Sequence, residues 1–358
     1  MQIRSDWKKD DQTPDKPAGS YEWWYFDAVS EDAEKAVVVI FYEGIPFSPK
    51  YNQCIQNGDG TKAHPESYPA VSISVYDKGR PVWYSLTEFS KADASFGSQP
   101  LQVGIGPHRF SQQSEENRLS YHLTLNELLP NGDALEGELT FSSPITNREL
   151  LNEQSSGGHQ WNLVQPAAEV TGVLSISGYH QDKIDFKGSG YHDHNYGSEP
   201  MKEAFRDWYW GRVHFPEATL VFYVMNQKSG RQYRGWLIDR ENQQIISQFD
   251  PITTDEPQLN VFGLRPCRRI QLQSGDLKAD IYQSRVVDNG PFYIRYLCDG
   301  VLHVPEWGIQ KQKGISEYIY PSRIDRALFR PMVHMRYRYF DEKPHWVQKS
   351  PRLYRWTW

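Results

Sequence analysis

The stretch that decides the fold is EWWY at residues 22–25, an acid followed by three aromatic residues. A stretch of the same kind, DWYW, recurs at residues 207–210. After each one a turn leads into an apolar run that ends in Phe-Tyr, at residues 36–42 and 219–223. The distance between the copies is far too long for a solenoid repeat. We therefore predict two copies of one β-domain, fused head to tail.

The pattern between these anchor stretches favours short strands over helices. Residues 70–76 alternate between apolar and polar positions, and Asp-Lys-Gly-Arg at 77–80 then predicts a hairpin turn. Pro-Asn-Gly-Asp at 130–133 predicts another. Short strands separated by such turns are typical of sandwiches and barrels. We predict an all-β protein with a few short helices, one domain at 1–185 and a second at 186–358.

Composition limits the classes of partner. The 358 residues are enough for two domains that each bury a core, and aromatic residues, at 14%, carry much of that burial. The net charge of −6 argues against nucleic acid as the main partner. The sequence has no apolar run long enough to span a membrane, and its charged N-terminus is unlike a secretory signal. Three well-separated cysteines without a Cys-x-x-Cys pair predict free thiols in a reducing compartment, hence cytoplasmic localisation.

Three segments stand apart from the strand pattern. Residues 1–18 are predicted as an extended arm, and residues 44–60, rich in Pro, Asn and Gly, as a loop. Residues 323–358 carry nine Lys or Arg against three Asp or Glu, interleaved with aromatic residues. Two interpretations of this basic C-terminus stay open. Its long stems cover aromatic surface, or it forms a rim that rests on an anionic membrane surface.

The most polar motif, GSGYHDHNYG, occupies residues 188–197. In a strand His192 and His194 would point to one side and Asp193 to the other. Two histidines at this spacing could begin a metal site, but a third ligand at fixed spacing is missing, so we predict no metal. Hydrogen bonding within a polar cluster and an acid–base or substrate-orienting role remain as alternatives.

Carboxyl groups set among aromatic rings suggest one kind of chemistry. Burial raises the pKa of such an acid, and a protonated carboxyl can protonate an alkene while ring faces stabilise the resulting cation. Asp193 is the first candidate donor, with Asp207 and Glu22 as competitors, and Arg212 would fix an acid. The sequence has no nucleophile elbow, dinucleotide fingerprint, phosphate loop or His-Glu-x-x-His motif, so its motifs indicate no other chemistry.

Four segments together resemble the carotenoid 1,2-hydratase (hydroxyneurosporene synthase) family and the related AttH-type lipocalin-like proteins. They are YEWWYFD at 21–27, His159-x-Trp161, GYHDHNYG at 190–197 and WxWGR at 208–212. The resemblance implies two tandem lipocalin-like β-barrel domains. It also implies cofactor-independent chemistry on polyene or isoprenoid-like compounds, chiefly water addition to a terminal double bond.

The expected function is therefore a lyase or cyclase that protonates a carbon–carbon double bond of a hydrophobic small molecule. Asp193 would donate the proton, and His192 and His194 would orient it or the water. The side chains expected to line an aromatic substrate pocket are Trp24, Trp161, Tyr191, Asn195, Tyr196, Trp208, Trp210 and Tyr223. A pericyclase that shapes a lipophilic polyene and a non-enzymatic carrier of a hydrophobic ligand are the alternatives.

Overall fold

The computed structural model describes residues 1–145, 151–153, 158–227 and 230–358. The strands of this part of the chain are β1 (Gln2–Arg4), β2 (Tyr21–Ser30), β3 (Lys35–Glu43), β4 (Ala70–Asp77), β5 (Arg80–Glu88), β6 (Ala94–Gly97), β7 (Gln102–Ile105), β8 (His108–Glu115), β9 (Arg118–Leu128), β10 (Ala134–Pro144), β11 (Asn152–Glu153), β12 (His159–Ser177), β13 (Asp182–Gly197), β14 (Phe205–His214), β15 (Ala218–Gln227), β16 (Gly230–Asp239), β17 (Ile245–Gln248), β18 (Ile252–Pro257), β19 (Cys267–Ser274), β20 (Leu277–Asn289), β21 (Tyr293–Val304), β22 (Gly308–Ile319) and β23 (Arg338–Tyr339).

The helices are short. The α-helices are α1 (Pro49–Gln56), α2 (Met201–Ala204), α3 (Arg330–Arg336) and α4 (Pro351–Trp356). Single 3-10 turns lie at Trp7–Lys9, Pro65–Ser67, Lys91–Asp93, Pro321–Asp325 and Trp346–Lys349. The all-β prediction is thus confirmed. No helix in the described ranges combines the length and the apolar character needed to cross a bilayer.

The strands form two sheets that share one strand order around the anchor strand, and all described pairs are antiparallel except β1–β12 and β23–β5. The first runs in the order β23-β5-β4-β3-β2-β13-β12-β10-β9-β8-β7-β6, with β1 and β11 beside β12. The second runs β17-β16-β15-β14-β22-β21-β20-β19-β18. In each sheet the strand with the anchor stretch lies between the next strand in sequence and a strand near the end of its unit. These triplets are β3-β2-β13 in the first sheet and β15-β14-β22 in the second. This shared order agrees with two tandem copies of one domain.

Contacts between distant strands show that the first sheet curls around its core. Phe41 on β3 meets Phe110 on β8 with ring centroids 5.0 Å apart, although several strands separate them in the sheet. The Thr87 hydroxyl on β5 donates a hydrogen bond of 3.2 Å to Glu127 on β9. A flat sheet could not make these contacts, so its buried face must close on itself as in a barrel.

The second sheet curls in the same way. The backbone N–H of Phe249, between β17 and β18, donates to the carbonyl oxygen of Gly235 on β16 at 2.8 Å. A Cβ on Gly235 would lie 2.7 Å from Leu272 of β19 and 3.2 Å from Ile252 of β18. The absence of a side chain at this glycine is therefore what lets the strands approach.

The compact units differ from the expected domains. One consists of Met1–Met201 with Asp325–Trp358, and the other is Lys202–Ile324. The expected boundary between residues 185 and 186 falls inside β13, which pairs with β2 and β12 of the first sheet. The motif is therefore in the closing strand of the first copy, not at the start of the second. The C-terminal segment also belongs to the first unit, where β23 pairs with β5.

Residues 44–60 contain α1 and were wrongly expected to be a loop. The Ser48 side chain accepts a hydrogen bond from the backbone N–H of Tyr51, and Pro49 is the first helical residue. Serine at the N-cap followed by proline is a favourable helix start. The Tyr51 hydroxyl then donates to the carbonyl of Ser20 at 2.6 Å, which fixes the helix against the start of β2.

Candidate functional site

The motif strand β13 presents different chemistry on its two sides. It lies between β2 and β12, with Asp193 opposite Tyr25 on one neighbour and Leu163 on the other. Because alternate residues of a strand face opposite sides, Tyr191, Asp193 and Asn195 share one side. His192 and His194 point to the other, where the apolar core of the first unit lies. All five side chains are buried, and the alternation expected from the sequence is present.

Three donors converge on the Asp193 carboxyl. Trp161 Nε1 and the Tyr191 hydroxyl donate to Oδ2 at 2.7 and 2.8 Å. Asn195 Nδ2 donates to Oδ1 at 2.8 Å. Two of these donors come from β13 itself and the third from β12, so the pairing of these strands sets the geometry. The structure thus brings three of the predicted site residues together around a fourth, Asp193.

The donor character of these groups is fixed by their chemistry and surroundings. An indole N–H can only donate. Burial raises the pKa of Tyr191 far above its ordinary value, and the nearby Asp193 charge raises it further, so the phenol keeps its proton. Hydrogen bonds donated to a carboxyl stabilise its ionised form. The cluster is therefore suited to support a negative charge on Asp193.

His159 lies at the start of the strand that carries Trp161. Its Nδ1 lies 3.1 Å from the Tyr21 hydroxyl. Burial lowers the pKa of His159 to about 3, with a further lowering from the chain's amino group. The imidazole is therefore neutral near neutral pH, and it can exchange hydrogen bonds without contributing a charge to the side of β13 that holds Asp193.

On the opposite side of β13, His194 is held between two acids. Its Nε2 lies 2.8 Å from Glu22 and its Nδ1 lies 3.3 Å from Asp10. Burial alone would lower its pKa, but the two carboxylates outweigh burial and raise it to about 9. His194 is therefore an imidazolium at neutral pH. Trp24 stacks on it with ring centroids 4.7 Å apart.

Glu22 does not behave as expected for an acid among aromatic rings. Burial favours a raised pKa, but His194 and Lys16 outweigh it and lower the pKa below the ordinary value. Lys16 Nζ lies 2.6 Å from Glu22 and 2.8 Å from Glu43. The Thr13 hydroxyl and backbone N–H also donate to Glu22, at 2.7 and 2.9 Å. Glu22 is thus an anion within a salt-bridge network, and its expected raised pKa is wrong.

His192 belongs to the same network. One ring nitrogen, Nδ1, lies 3.0 Å from the carbonyl oxygen of Tyr25, and Nε2 lies 3.1 Å from Asp10. Phe26 stacks on the ring at 3.9 Å. Asp10 also accepts a hydrogen bond of 2.5 Å from the Tyr121 hydroxyl. Although burial raises the pKa of Asp10, the two histidines lower it to about 2, so this carboxylate is ionised.

The N-terminal arm, residues 1–18, supplies the partners that sequence reasoning missed. Asp10, Thr13 and Lys16 come from a segment with no strand or helix periodicity, so nothing local signals their role. Trp24 Nε1 donates to the carbonyl of Asp10 at 3.0 Å, which ties the arm to β2. Trp24 therefore lies with the histidines in the core, on the side of the sheet opposite Asp193. Tyr196 is half-buried, and burial together with Glu22 raises its pKa.

The remaining predicted residues lie in the second unit, on β14 and β15. Asp207 accepts hydrogen bonds of 2.6 Å from Asn226 and 2.8 Å from Arg206. Trp210 is paired with Tyr223 across the two strands. Trp208, Trp210, Tyr223 and Arg212 are buried. Sequence reasoning missed another buried acid of this unit, Glu317 on β22, which accepts a 2.8 Å hydrogen bond from Arg295 Nε.

The fold and the site define a lipocalin-like β protein with a buried aspartate held by aromatic donors. The family model of carotenoid hydratase CrtC matches residues 39–343, and the chain belongs to this family. That membership makes it an enzyme of the hydro-lyase class or a related isomerase or cyclase.

Individual relatives agree with this assignment. The hydroxyneurosporene dehydrogenase of Chlorobaculum tepidum is 28% identical over 93% of this chain and 94% of its own length. The acyclic carotenoid 1,2-hydratase of Thiocapsa roseopersicina is 24% identical over 78% of this chain and 65% of that protein. Among solved structures, an AttH protein of Nitrosomonas europaea covers 87% of this chain and 95% of its own, with a TM-score of 0.57 and 13% identity. That likeness shows a shared fold.

Proposed function

We propose that this protein is a cofactor-independent hydratase of a hydrophobic polyene, and that Asp193 protonates a terminal carbon–carbon double bond. The observation that carries the proposal is the convergence of Trp161, Tyr191 and Asn195 on the Asp193 carboxyl. Membership of the carotenoid hydratase family supports an acyclic carotenoid or a similar isoprenoid chain as substrate.

The competing carboxyl groups are held by cations. Glu22 contacts the Lys16 ammonium and the His194 imidazolium, which favour its ionised form. Asp207 contacts the Arg206 guanidinium at 2.8 Å, which is charged at any accessible pH. An acid must be protonated before it can act, and the contacts of Glu22 lower its pKa. Asp193 receives hydrogen bonds from an indole, a phenol and an amide, which orient the carboxyl and support its anion after transfer.

The reaction balances with water as the only co-substrate. The proton of Asp193 moves to the less substituted carbon of the double bond, and the π electron pair forms the new C–H bond. The tertiary cation that results is stabilised by ring faces on this side of the sheet, which include Tyr25 and Tyr191. Water attacks the cation, and the proton it loses returns to the Asp193 carboxylate.

The test is turnover of an acyclic carotenoid dispersed in detergent by the full chain and by Asp193→Asn. The amide keeps the volume and removes the acid, so turnover should fall by at least about 100-fold, the usual scale for a lost general acid. Affinity, followed by quenching of tryptophan fluorescence, should change little. Product formed in heavy water should carry one deuterium at the protonated carbon. Tyr191→Phe should lower the rate by about tenfold, since one hydrogen bond to a charged group is lost.

Asp207→Asn is the matched control, because it makes the same change at a buried acid that a guanidinium already holds. It should keep deuterium incorporation and most of the turnover. Full activity of Asp193→Asn would contradict the assignment of the acid. Turnover without any label would instead indicate a pericyclic reaction, and tight binding without turnover would indicate a carrier.

A further inference from the structure

The end of the chain presents large apolar side chains to solvent. Trp346, in the last 3-10 turn, is 64% exposed, and Leu353 and Trp356 of α4 are 41% and 85% exposed. Lys349 and Arg352 lie between them in sequence and are also exposed. We call these five side chains the C-terminal face. Exposed tryptophans in one short segment are unusual in a folded domain and mark an interaction surface.

The backbone beneath this face is firmly attached to the first unit. Tyr354 is 1% exposed and packs into the core of that unit. Gln348 Nε2 donates to the carbonyl oxygens of Tyr337 and Met335 at 3.0 and 3.2 Å. The Ser350 side chain accepts from the backbone N–H of Leu353 at the start of α4. The tryptophans therefore project from a packed segment, so presenting them to a partner requires no ordering of the backbone.

The segment that carries the face is basic, and the nearby acid Asp133, which is buried, lies 3.6 Å from Arg355. Residues 343–358 contain four Lys or Arg and no Asp or Glu, in a protein whose net charge is −6. Tyr179, on the turn between β12 and β13, is 56% exposed and lies beside the face. The guanidinium carbons of Arg352 and Arg355 lie 6.0 and 5.3 Å from its ring. Tryptophan and tyrosine interleaved with lysine and arginine are typical of surfaces that lie in the headgroup region of a bilayer.

We propose that the C-terminal face docks this protein on an anionic lipid bilayer. Trp346, Leu353 and Trp356 enter the headgroup region, and Lys349 and Arg352 bind the anionic lipid. A second copy of the chain is a poor occupant, because facing copies would bring like charges together without a compensating acid. The docking proposal depends only on the C-terminal face. It goes beyond the proposed function because it identifies the place where the protein would encounter a polyene dissolved in a membrane.

The test uses the full chain and sucrose-loaded vesicles of phosphatidylcholine with or without phosphatidylglycerol. The protein should sediment with the anionic vesicles, less so with the neutral ones, and added salt should weaken binding. Tryptophan emission should shift to the blue and be quenched by brominated lipid. Trp346→Ser with Trp356→Ser, and separately Lys349→Glu with Arg352→Glu, should each lower vesicle partitioning by about tenfold or more.

Matched controls separate the face from general surface properties. Leu259→Ser with Val261→Ser removes two apolar side chains that are 68% and 83% exposed in the second unit. Lys78→Glu with Lys187→Glu makes the same charge change at two exposed positions of the first unit, one in the turn between β4 and β5 and one on β13. Both controls should bind as the unaltered protein does. Circular dichroism and turnover of detergent-dispersed carotenoid should be unchanged in every variant.

Three results would overturn docking: partitioning unaffected by the face variants, binding indifferent to anionic lipid, or tryptophan-dependent dimerisation in place of vesicle binding. The detergent assay keeps the two proposals apart. Vesicle binding without carotenoid turnover would contradict the proposed function and leave docking standing. Turnover in detergent without vesicle binding would do the reverse.

Discussion

Replacing Asp10 by Asn should lower the pKa of His194 and destabilise the first unit. Both ring nitrogens of His194 face carboxylates, Glu22 at 2.8 Å and Asp10 at 3.3 Å. The amide keeps the shape of Asp10 and retains an oxygen that can accept from Tyr121, but it removes the charge. The variant therefore tests whether the arm acts on the motif strand through electrostatics.

The magnitude follows from the pKa of His194. It is raised from 6.5 to about 9, which at 1.36 kcal/mol per unit corresponds to about 3 kcal/mol of favourable coupling. Asp10 and Glu22 share this coupling, so removal of one charge should lower the pKa of His194 by about one unit and the free energy of unfolding by about 1–2 kcal/mol. Weakening the hydrogen bond from Tyr121 adds roughly 1 kcal/mol. The lowered pKa of Asp10, about 2, reports the same pairs and is not added again.

The pH dependence has a definite sign. Folded His194 keeps its proton to about pH 9, whereas the unfolded chain loses it near 6.5. Between these values the folded state binds more protons, so stability falls as the pH rises. The contribution of His194 is fully present below pH 6.5 and is lost above about 9. Urea unfolding across this window should show a fall of about 3 kcal/mol in the unaltered protein and roughly half of it in Asp10→Asn.

A histidine NMR titration measures the pKa of His194 directly, with His194→Gln to assign the signal. Asp6→Asn is the control, because it makes the same change in the same arm. Asp6 contacts Lys9 at 3.6 Å and caps the 3-10 turn through the N–H of Lys8. An unchanged His194 pKa in Asp10→Asn, or an equal shift in Asp6→Asn, would refute the electrostatic coupling.

Two further predictions concern the same strands. Lys16→Met leaves Glu22 and Glu43 buried without their shared cation. The free energy of unfolding measured by urea denaturation should therefore fall by about 3–5 kcal/mol. Lys50→Met, the control at an exposed ion pair with Glu342, should lower it by under about 1 kcal/mol. Gly190→Ala should destabilise the protein by about 1–3 kcal/mol, because its Cβ would lie 2.5 Å from Val170 and 2.7 Å from the Asp27 carbonyl oxygen. Gly60→Ala, with nothing within 4 Å, should leave the melting temperature nearly unchanged; equal effects of the two alanines would contradict the packing argument.

The strand pattern and the duplication were readable from the sequence because both depend on local order. The anchor stretches, the turns after them and the alternation in residues 188–197 follow from the period of two that a strand imposes. The helix α1 was also within reach, since Ser48-Pro49 is a start signal. The boundary of the first copy could not be predicted from the sequence. A motif at the middle of the chain suggests a beginning, and only the pairing of β13 with β2 shows it to be an end.

The charged network could not be predicted, since its partners are far apart in the chain. Asp10 and His192 are 182 positions apart and lie in contact through the fold. The arm that carries Asp10 and Lys16 lacks periodicity, so its residues carry no sign of the side chains they meet. The error about Glu22 has the same origin. Aromatic neighbours in sequence predict desolvation, but the cations that reverse its effect come from the arm and from β13.

The two copies keep one geometry at the strand beside each anchor. Tyr25 lies three residues after Glu22, and Trp210 lies three residues after Asp207, so the two rings occupy equivalent positions. Tyr25 is paired with Asp193, and Trp210 is paired with Glu317. The next ring pair is also kept: Trp24 lies 4.7 Å from His194. Its counterpart, Tyr209, lies 4.7 Å from Tyr318. Asp193 and Glu317 are therefore equivalent positions of the duplicated fold.

The two equivalent acids nevertheless accept hydrogen bonds from different kinds of donor. Glu317 accepts a 2.8 Å hydrogen bond from the buried guanidinium of Arg295. In the first copy, the position equivalent to Arg295 is Leu163, opposite Asp193 across β12 and β13. There an indole, a phenol and an amide donate hydrogen bonds to the acid. Equal backbone geometry with different donors therefore agrees with our proposal that proton transfer belongs to the first copy.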